Sequence, residues 1–328
     1  MPAGGPDPDL EPHLAAFFGS LFALLAGPLG GSFITLDQCR SPEVWEADFE
    51  LMDTAGLDTL IVREAVDLTI NEAFYPTMQP NLASDCEYDS VGMVMAFAER
   101  HDMKVYLGLV HASGTSSPAP GWGRDQLLYQ SALTARELVM RYGDYESFAG
   151  WYLTPEAVAN DWVFDRNHHR IRFHRELVAA IREFDSHPIA SAPYFIPYST
   201  WQPISEQQMQ DFVYAYTLTT GVNIVILQDG AGADNRSIND IGRYFVAASR
   251  GIANTGAQLW GDVEAFRIMG DGAFVPSGGD PVRVQSATVK PHVDKLVAWT
   301  FQHYMSPYAG RPGAWQAFFN YITGISAN

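Results

Sequence analysis

Two stretches of this chain each deliver carboxylates to the point where a strand should end. Gly150-Trp151-Tyr152-Leu153-Thr154-Pro155-Glu156 is an aromatic, apolar run with the composition of a strand covered on both faces. Pro155 has no backbone N–H to donate, so the ladder stops there and Glu156 stands at the carboxyl end. Gln258-Leu259-Trp260-Gly261-Asp262-Val263-Glu264-Ala265-Phe266 repeats the arrangement. Parallel α/β folds place their ligands at the carboxyl ends of strands. Two glutamates on one rim suit the hydrolysis of a glycosidic bond. One carboxyl, protonated, gives its proton to the leaving oxygen; the other, ionised, attacks the sugar or activates water. Their environments must then separate their pKa values, an apolar or like-charged setting for the acid and a hydrogen-bonded one for the nucleophile.

The elements that would position these groups alternate along the chain. Ser32–Asp37 reads as a first strand. Ser41-Pro42-Glu43 then opens a helix with an N-cap, a proline in the first turn and an acid against the dipole. Trp45, Phe49 and Met52 share its buried face, and Gly56 closes it. Thr59–Val62 is the second strand, followed by a long loop from Asp67 to Asp89 that carries Tyr75. The helix Ser90–His101 leads to strand three, Lys104–Val110, and a striped helix with Leu128, Ala132, Ala135 and Val139 leads to strand four at Gly150. A helix from His169 to Phe184 feeds strand five, Ile189–Tyr194. Strands six to eight follow at Val222–Leu227, Gln258–Val263 and Leu296–Phe301, with a glycine-rich loop from Arg267 to Asp280 after the seventh. Eight strand–helix units without a composition break predict one closed (β/α)₈ barrel over residues 31–328, ending in a helix. A doubly wound open sheet is the competing fold. No Gly-x-Gly-x-x-Gly follows the first strand to support it.

In such a barrel the strand ends form one ring. It reads Asp37/Gln38, Arg63/Glu64, His111, Glu156, Tyr194, Gln228/Asp229, Asp262/Glu264 and His303/Tyr304. Strands four and seven lie across the mouth from one another, so a sugar held between Glu156 and Glu264 meets both. Rim carboxylates also serve in buried ion pairs, here with Arg63 or Arg283, and that structural role competes with catalysis. Trp122, Trp162 and Trp201, in the loops after strands three, four and five, and Tyr75 after strand two offer planar faces for the C–H face of a sugar ring. Taken singly, each aromatic is equally a loop anchor packed on the barrel. A metal site from His111 and His303 with Asp229 or Asp262 is the weaker case, because no His-Glu-x-x-His and no Cys-x-x-Cys is present. A serine nucleophile has no Gly-x-Ser-x-Gly elbow. No cofactor is called for.

The charge balance narrows the partners. The net charge is -18, with 20 Lys and Arg against 38 Asp and Glu, which argues against nucleic acid or an anionic membrane surface as partner. The basic run from Arg166 to Arg175 reads as a solvated helix face. Residues 1–30 form a separate segment. Its apolar run Leu14–Leu29 has the character of a signal-peptide core, which favours export, but acids precede it and no Lys or Arg occurs before Arg40. An extra helix covering one end of the barrel explains the same residues. The run is short and Gly/Pro-broken for a membrane span, and no later stretch is long and apolar enough. Cys39 and Cys86 fall near the ends of strands one and two, where a disulfide and two free thiols are both open.

The segments Gly-Trp-Tyr-Leu-Thr-Pro-Glu (150–156), Leu-Gln-Asp-Gly-Ala-Gly-Ala (227–233), Leu-Trp-Gly-Asp-Val-Glu-Ala-Phe (259–266) and His-Tyr-Met-Ser-Pro (303–307) resemble the domain-of-unknown-function family 4434, grouped with TIM-barrel glycosyl hydrolases. The resemblance covers roughly residues 31 to 310. It implies a (β/α)₈ barrel and carbohydrate hydrolysis. The two glutamates also resemble those of the large clan of retaining glycosidases, which implies Glu156 as acid/base and Glu264 as nucleophile. That clan has Asn before its acid/base to bind the sugar 2-hydroxyl; here Pro155 stands in that place, so Asn160 or Gln228 would have to supply the contact. The expected enzyme is therefore a glycoside hydrolase with Glu156 and Glu264 catalytic. Asp37, Glu64, His111, Trp122, Tyr194, Gln228, Asp229, Asp262, His303 and Tyr304 are expected to bind a poly- or oligosaccharide. A non-catalytic carbohydrate-binding barrel and a metal-dependent hydrolase or lyase are the alternatives.

Overall fold

The structure, a computed structural model, describes residues 29–36, 40–84, 88–112, 123–165, 168–195, 204–233, 236–309 and 312–323. Residues 1–28 and Asp37, Gln38, Cys39, Cys86, Trp122 and Trp201 lie outside the described residues. Among the described residues no helix is long and apolar enough to cross a membrane.

Eight parallel strands close into a barrel in chain order: β1 (Gly31–Ile34), β2 (Thr59–Val62), β3 (Lys104–Gly108), β4 (Phe148–Leu153), β5 (Ile189–Ser191), β6 (Ile224–Gln228), β7 (Gln258–Glu264) and β8 (Lys295–Trp299). β1 pairs with both β2 and β8, which completes the ring. Outside it run α1 (Pro42–Thr54), α2 (Ser90–Arg100), α3 (Arg124–Tyr142), α4 (His169–Arg182), α5 (Glu206–Thr220), α6 (Ile238–Ile252), α7 (Gly279–Val289) and α8 (Pro312–Thr323). The (β/α)₈ reading of the sequence therefore holds.

The strands obey a period of two. Phe33, Ile61, Tyr106, Tyr152, Trp260 and Val297 form an inner cluster, while Trp151, Leu153, Leu259 and Val263 pack outward against the helices. Inside, Phe33 meets Tyr152 edge-on at 5.3 Å and Tyr106 meets Trp260 at 5.6 Å, so the barrel floor is a filled aromatic layer. Gly150 is required in β4. Its φ is 152°, and an added Cβ would stand 2.1 Å from the Pro188 carbonyl oxygen.

Four strands are shorter than their apolar runs suggest, β3 among them, which ends at Gly108 rather than Val110. β1 ends at Ile34 rather than Asp37, β5 at Ser191 rather than Tyr194, and β8 at Trp299 rather than Phe301. At the mouth, side chains take over from the ladder. The Thr35 N–H donates to Gln302 Oε1 at 2.8 Å, and the Leu109 N–H donates to Thr154 Oγ1 at 3.0 Å. The long loop after β2 is also ordered. Val66–Asp67 pairs antiparallel with Glu72–Ala73 and parallel with Val110–His111 as a small sheet beside the rim. The glycine-rich loop after β7 forms a hairpin, Phe266–Ile268 with Phe274–Pro276. Helix α5 is bounded by a Ser205/Gln208 capping box at its start and left-handed Gly221 after its end.

Candidate active site at the barrel mouth

Two adjoining cavities open at the carboxyl ends of the strands, of about 680 Å³ and about 540 Å³. Glu156, Tyr152, Asp161, Arg170 and Trp299 border both, so they are two halves of one groove. Glu264 and Asp262 border only the larger half, with Tyr194 and Gln228. His111, Arg63 and Arg124 border only the smaller.

The strand period explains which side chains arrive. Tyr152 points inward on β4, and the same parity carries Glu156, two turns of the pleat later, to the groove. Gln228 Nε2 donates to Glu156 Oε1 at 2.9 Å. Burial pushes the Glu156 carboxyl above its ordinary range, held back by that bond and by Arg170 and Arg63. On β7, Trp260, Asp262 and Glu264 share the inward face. Glu264 Oε2 accepts backbone N–H bonds from Gly232 at 2.7 Å and Ala233 at 2.6 Å. Those bonds favour the ionised form, but burial and the nearby Asp229 outweigh them and push the carboxyl up to about 8. Asp262 is 3% exposed, and its Oδ1 has no hydrogen-bond partner. Burial, then the charges of Glu264, Asp229 and Glu156, raises it well above the usual carboxylate range.

The same period places two of the expected ligands outside the groove. Asp229 follows inward-facing Gln228 and so turns to the outer side of the sheet, fully buried. There its Oδ1 accepts from the N–H groups of Ala231 at 3.0 Å and Glu264 at 3.3 Å, and its Oδ2 accepts from Gln285 Nε2 at 3.1 Å. Asp229 supports the Glu264 backbone and does not border the groove. Burial pushes it up to about 6. Glu64 likewise alternates out of register with Arg63. It is fully buried and ion-paired to Arg63, whose own side chain borders the groove. Glu64 thus forms the buried ion pair with Arg63 that competes with a rim role.

The remaining expected residues divide. His111 borders the smaller half, its pKa lowered by burial and by Arg63. Tyr194 borders the larger. His303 and Tyr304 sit on the short helix Phe301–Tyr304 behind the wall: His303 Nε2 is 2.8 Å from Thr35 Oγ1, and the Tyr304 ring stacks 5.3 Å from Phe266. Neither borders the groove. Tyr75 is not a platform for sugar, because it is fully buried with its hydroxyl donating to Glu137 Oε2 at 2.6 Å. Trp162 lies in the helix Ala159–Phe164 and stacks on His168 at 4.8 Å, away from both halves. Three groove residues are missing from the sequence reading: Trp299, which the inward parity of Val297 foretells, and the ion-paired Arg170 and Asp161. Among the described residues no three of His, Cys, Asp and Glu are grouped to hold a metal ion.

Fold and rim together define a (β/α)₈ barrel protein with an acidic groove at the carboxyl face. Within that class the chain belongs to the family described as "Domain of unknown function (DUF4434)", which matches residues 29–311. No curated protein matches it. Among solved structures it is similar to a candidate α-L-fucosidase from Bacteroides thetaiotaomicron, with 20% identity, a TM-score of 0.73, and coverage of 92% of this chain and 96% of that one. It is also similar to an endo-1,4-β-D-mannanase from Thermotoga petrophila, with 11% identity, a TM-score of 0.57, and coverage of 83% and 88%. A third similar structure is an intracellular xylanase from Thermoanaerobacterium saccharolyticum, with 15% identity, a TM-score of 0.50, and coverage of 82% and 84%.

Proposed function

We propose that this protein is a glycoside hydrolase acting by retention, with Glu156 as general acid/base and Glu264 as nucleophile. One observation carries the reading: two glutamates, half-buried Glu156 just after β4 and buried Glu264 at the end of β7, border the same cavity in different surroundings. Glu264 has one oxygen held by two N–H donors, which leaves the other for the anomeric carbon. Glu156 is raised by burial and aligned by Gln228, the state a proton donor needs. The names carried by the three similar structures, a fucosidase, a mannanase and a xylanase, agree with this chemistry.

The groove also gives the substrate a direction. Glu156 borders both halves and Glu264 only the larger, so the sugar that is attacked sits in the larger half and the leaving group in the smaller. Trp299 and Tyr152 span the junction as a continuous wall. Hydrolysis of an oligosaccharide panel, followed by proton NMR of the first product, tests the proposal. Retained anomeric configuration is expected, and Glu156→Gln and Glu264→Gln should each lower turnover by on the order of 10²–10⁴-fold while unfolding as cooperatively as the parent. Near-parental turnover in either variant would sink the assignment. An inverted product would recast Glu264 as the base that activates water.

A further inference from the structure

Asp262 leaves a question in the larger half of the groove. A carboxyl this deeply buried is normally saturated with hydrogen bonds, yet its Oδ1 has none and the side chain borders the cavity. Its surroundings are acidic. Glu156, Asp161 and Glu264 border the same space, and the guanidinium there, Arg170, is paired to Asp161. Arg236 approaches from the loop after β6, but it donates to the Asp229 carbonyl at 3.1 Å and lies over the Phe195 ring at 3.8 Å, outside the groove. Glu156 has Gln228, Asp161 has Arg170 and Glu264 has two backbone N–H groups, so Asp262 is the lining carboxyl left with an open oxygen and with acids as its charged neighbours.

We infer that the larger half of the groove receives a sugar bearing a protonated amine, an unacetylated amino sugar, whose ammonium group sits against Asp262. This rests on the glycosidase reading above and names its substrate class. A neutral hydroxyl can share the proton of Asp262 but cannot relieve the repulsion among the carboxyls. A uronate adds a further negative charge to them. An ammonium ion satisfies the open oxygen with an ionic hydrogen bond and lets the acids ionise.

The chemistry gains from this as well. A nucleophile must be ionised, and Glu264 is held at about 8 by burial and by Asp229, against the lowering effect of the Ala233 and Gly232 N–H groups and of Arg236. A cation within about 4–6 Å of a carboxylate lowers its pKa by about 1–3 units. An amino sugar would therefore arrive carrying the charge that converts Glu264 to its reactive form, whereas a neutral sugar would leave it mostly protonated at neutral pH.

Calorimetric titration of the full chain tests this at about pH 6, where an amine flanked by electron-withdrawing oxygens is protonated. The probes are di- and trisaccharides of glucosamine and of galactosamine, their N-acetylated forms, and cellotriose and mannotriose. One amino-sugar series should bind at least tenfold more tightly than its acetylated form and than the neutral sugars. Heats in buffers of different ionisation enthalpy should report release of up to about two protons on binding, because Asp262 and Glu264 lose theirs to the bulk. Asp262→Asn should lose the preference, leaving amine and acetylated forms within about twofold of each other, the scatter within which single contacts are read. Equal or tighter binding of acetylated or neutral sugars overturns the inference and leaves the glycosidase reading standing. So does amine binding that Asp262→Asn does not change, which would be attraction to a chain of net charge -18. Failure of every amino sugar to bind overturns it too. Should Asp262→Asn not fold, proton release in the parent decides: none released means no ion pair formed. The anomeric-product experiment judges the catalytic reading separately.

Discussion

His174 holds the backbone of the proposed acid from behind. It is fully buried on α4, with Nε2 2.8 Å from the Pro155 carbonyl and Nδ1 2.6 Å from the Tyr216 hydroxyl on α5. A carbonyl has no proton to give, so Nε2 carries the hydrogen and Nδ1 accepts from Tyr216, whose oxygen lies 2.8 Å from Ser191 Oγ on β5. Burial holds the imidazole down at about 4, so it stays neutral and keeps this tautomer. The chain of bonds fixes the Pro155–Glu156 peptide plane and hence the aim of Glu156. His174→Phe would leave two buried groups unsatisfied, at about 1–3 kcal/mol each. Turnover should fall roughly tenfold to a hundredfold, since small misplacements of a catalytic group cost on that order. His174→Gln, which can still donate to Pro155, should recover most of it. The check is kcat in both variants together with nitrogen-15 NMR of the His174 ring, which should not titrate between about pH 5.5 and 9. A ring that titrates near its ordinary value would refute the wiring. His174 was visible in the sequence only as part of a basic run read as a solvated face. Periodicity places it on the buried stripe with Ile171, Leu177 and Val178, a pattern the neighbouring arginines obscured.

At the scale of elements, the loop after β6 sets the environment of Glu264. Its residues Gly232 and Ala233 aim two N–H groups at one carboxylate oxygen, a backbone nest of the kind that holds anions. Gly232 is there because of close approach: an added Cβ would stand 2.3 Å from the Phe266 carbonyl oxygen and 3.1 Å from Glu264 Oε2. Gly232→Ala should push the loop away from the strand and lengthen both bonds. Glu264 then loses what favours its ionised form, and its pKa rises further. The expected outcome is a fall in kcat/KM of roughly tenfold near neutral pH, with the ascending limb of the pH profile moved to higher pH, as follows for the loss of one or two hydrogen bonds to a charged group. A variant with an unmoved limb would show that the nest does not tune Glu264. The strand ends bordering this site were legible from sequence because apolar runs stop at them. What the runs did not reveal was which of two adjacent polar residues faces the groove. Gln228 and Arg63 do, Asp229 and Glu64 do not, and the parity of Ile226 and Ile61 decides it. Parity can be read from sequence once the inward residues are known. The loops are harder: Val66–Asp67 pairs not only with nearby Glu72–Ala73 but also with distant Val110–His111, and no local pattern encodes that second pairing.

For the molecule as a whole, a mouth built from buried acids makes stability depend on pH in a particular direction. Glu264 at about 8 and Asp229 at about 6 both stand above their ordinary values, and Asp262 is raised as well. The folded chain therefore keeps protons that the unfolded chain releases. Stability from these groups is complete below the unfolded values near 4 and is lost as pH rises through the folded ones. His174 acts in the opposite sense. Depressed to about 4, it stays neutral in the fold while the unfolded ring takes up a proton below about 6.5, so it costs stability as pH falls through that window. Between about pH 8 and 6.5 the carboxyls act without that opposition, and the chain should gain about 2 kcal/mol, roughly one unit and a half of protonation at 1.36 kcal/mol per unit for Glu264. Below about 6.5 the gain should continue with a shallower slope. It should reverse near pH 4, where Glu137 and Asp185 begin to protonate; burial raises both, but their hydrogen bonds outweigh it and hold them below their ordinary values. Denaturant unfolding of the parent and of Glu264→Gln at about pH 8 and 6.5 checks the argument, because the amide cannot ionise and should be both more stable at pH 8 and flatter between the two. A parent as stable at pH 8 as at 6.5, or a Glu264→Gln variant with an undiminished slope, would mean that the buried acids do not hold their protons in the fold. The proposed activation of Glu264 by a cationic sugar would then lose its physical basis.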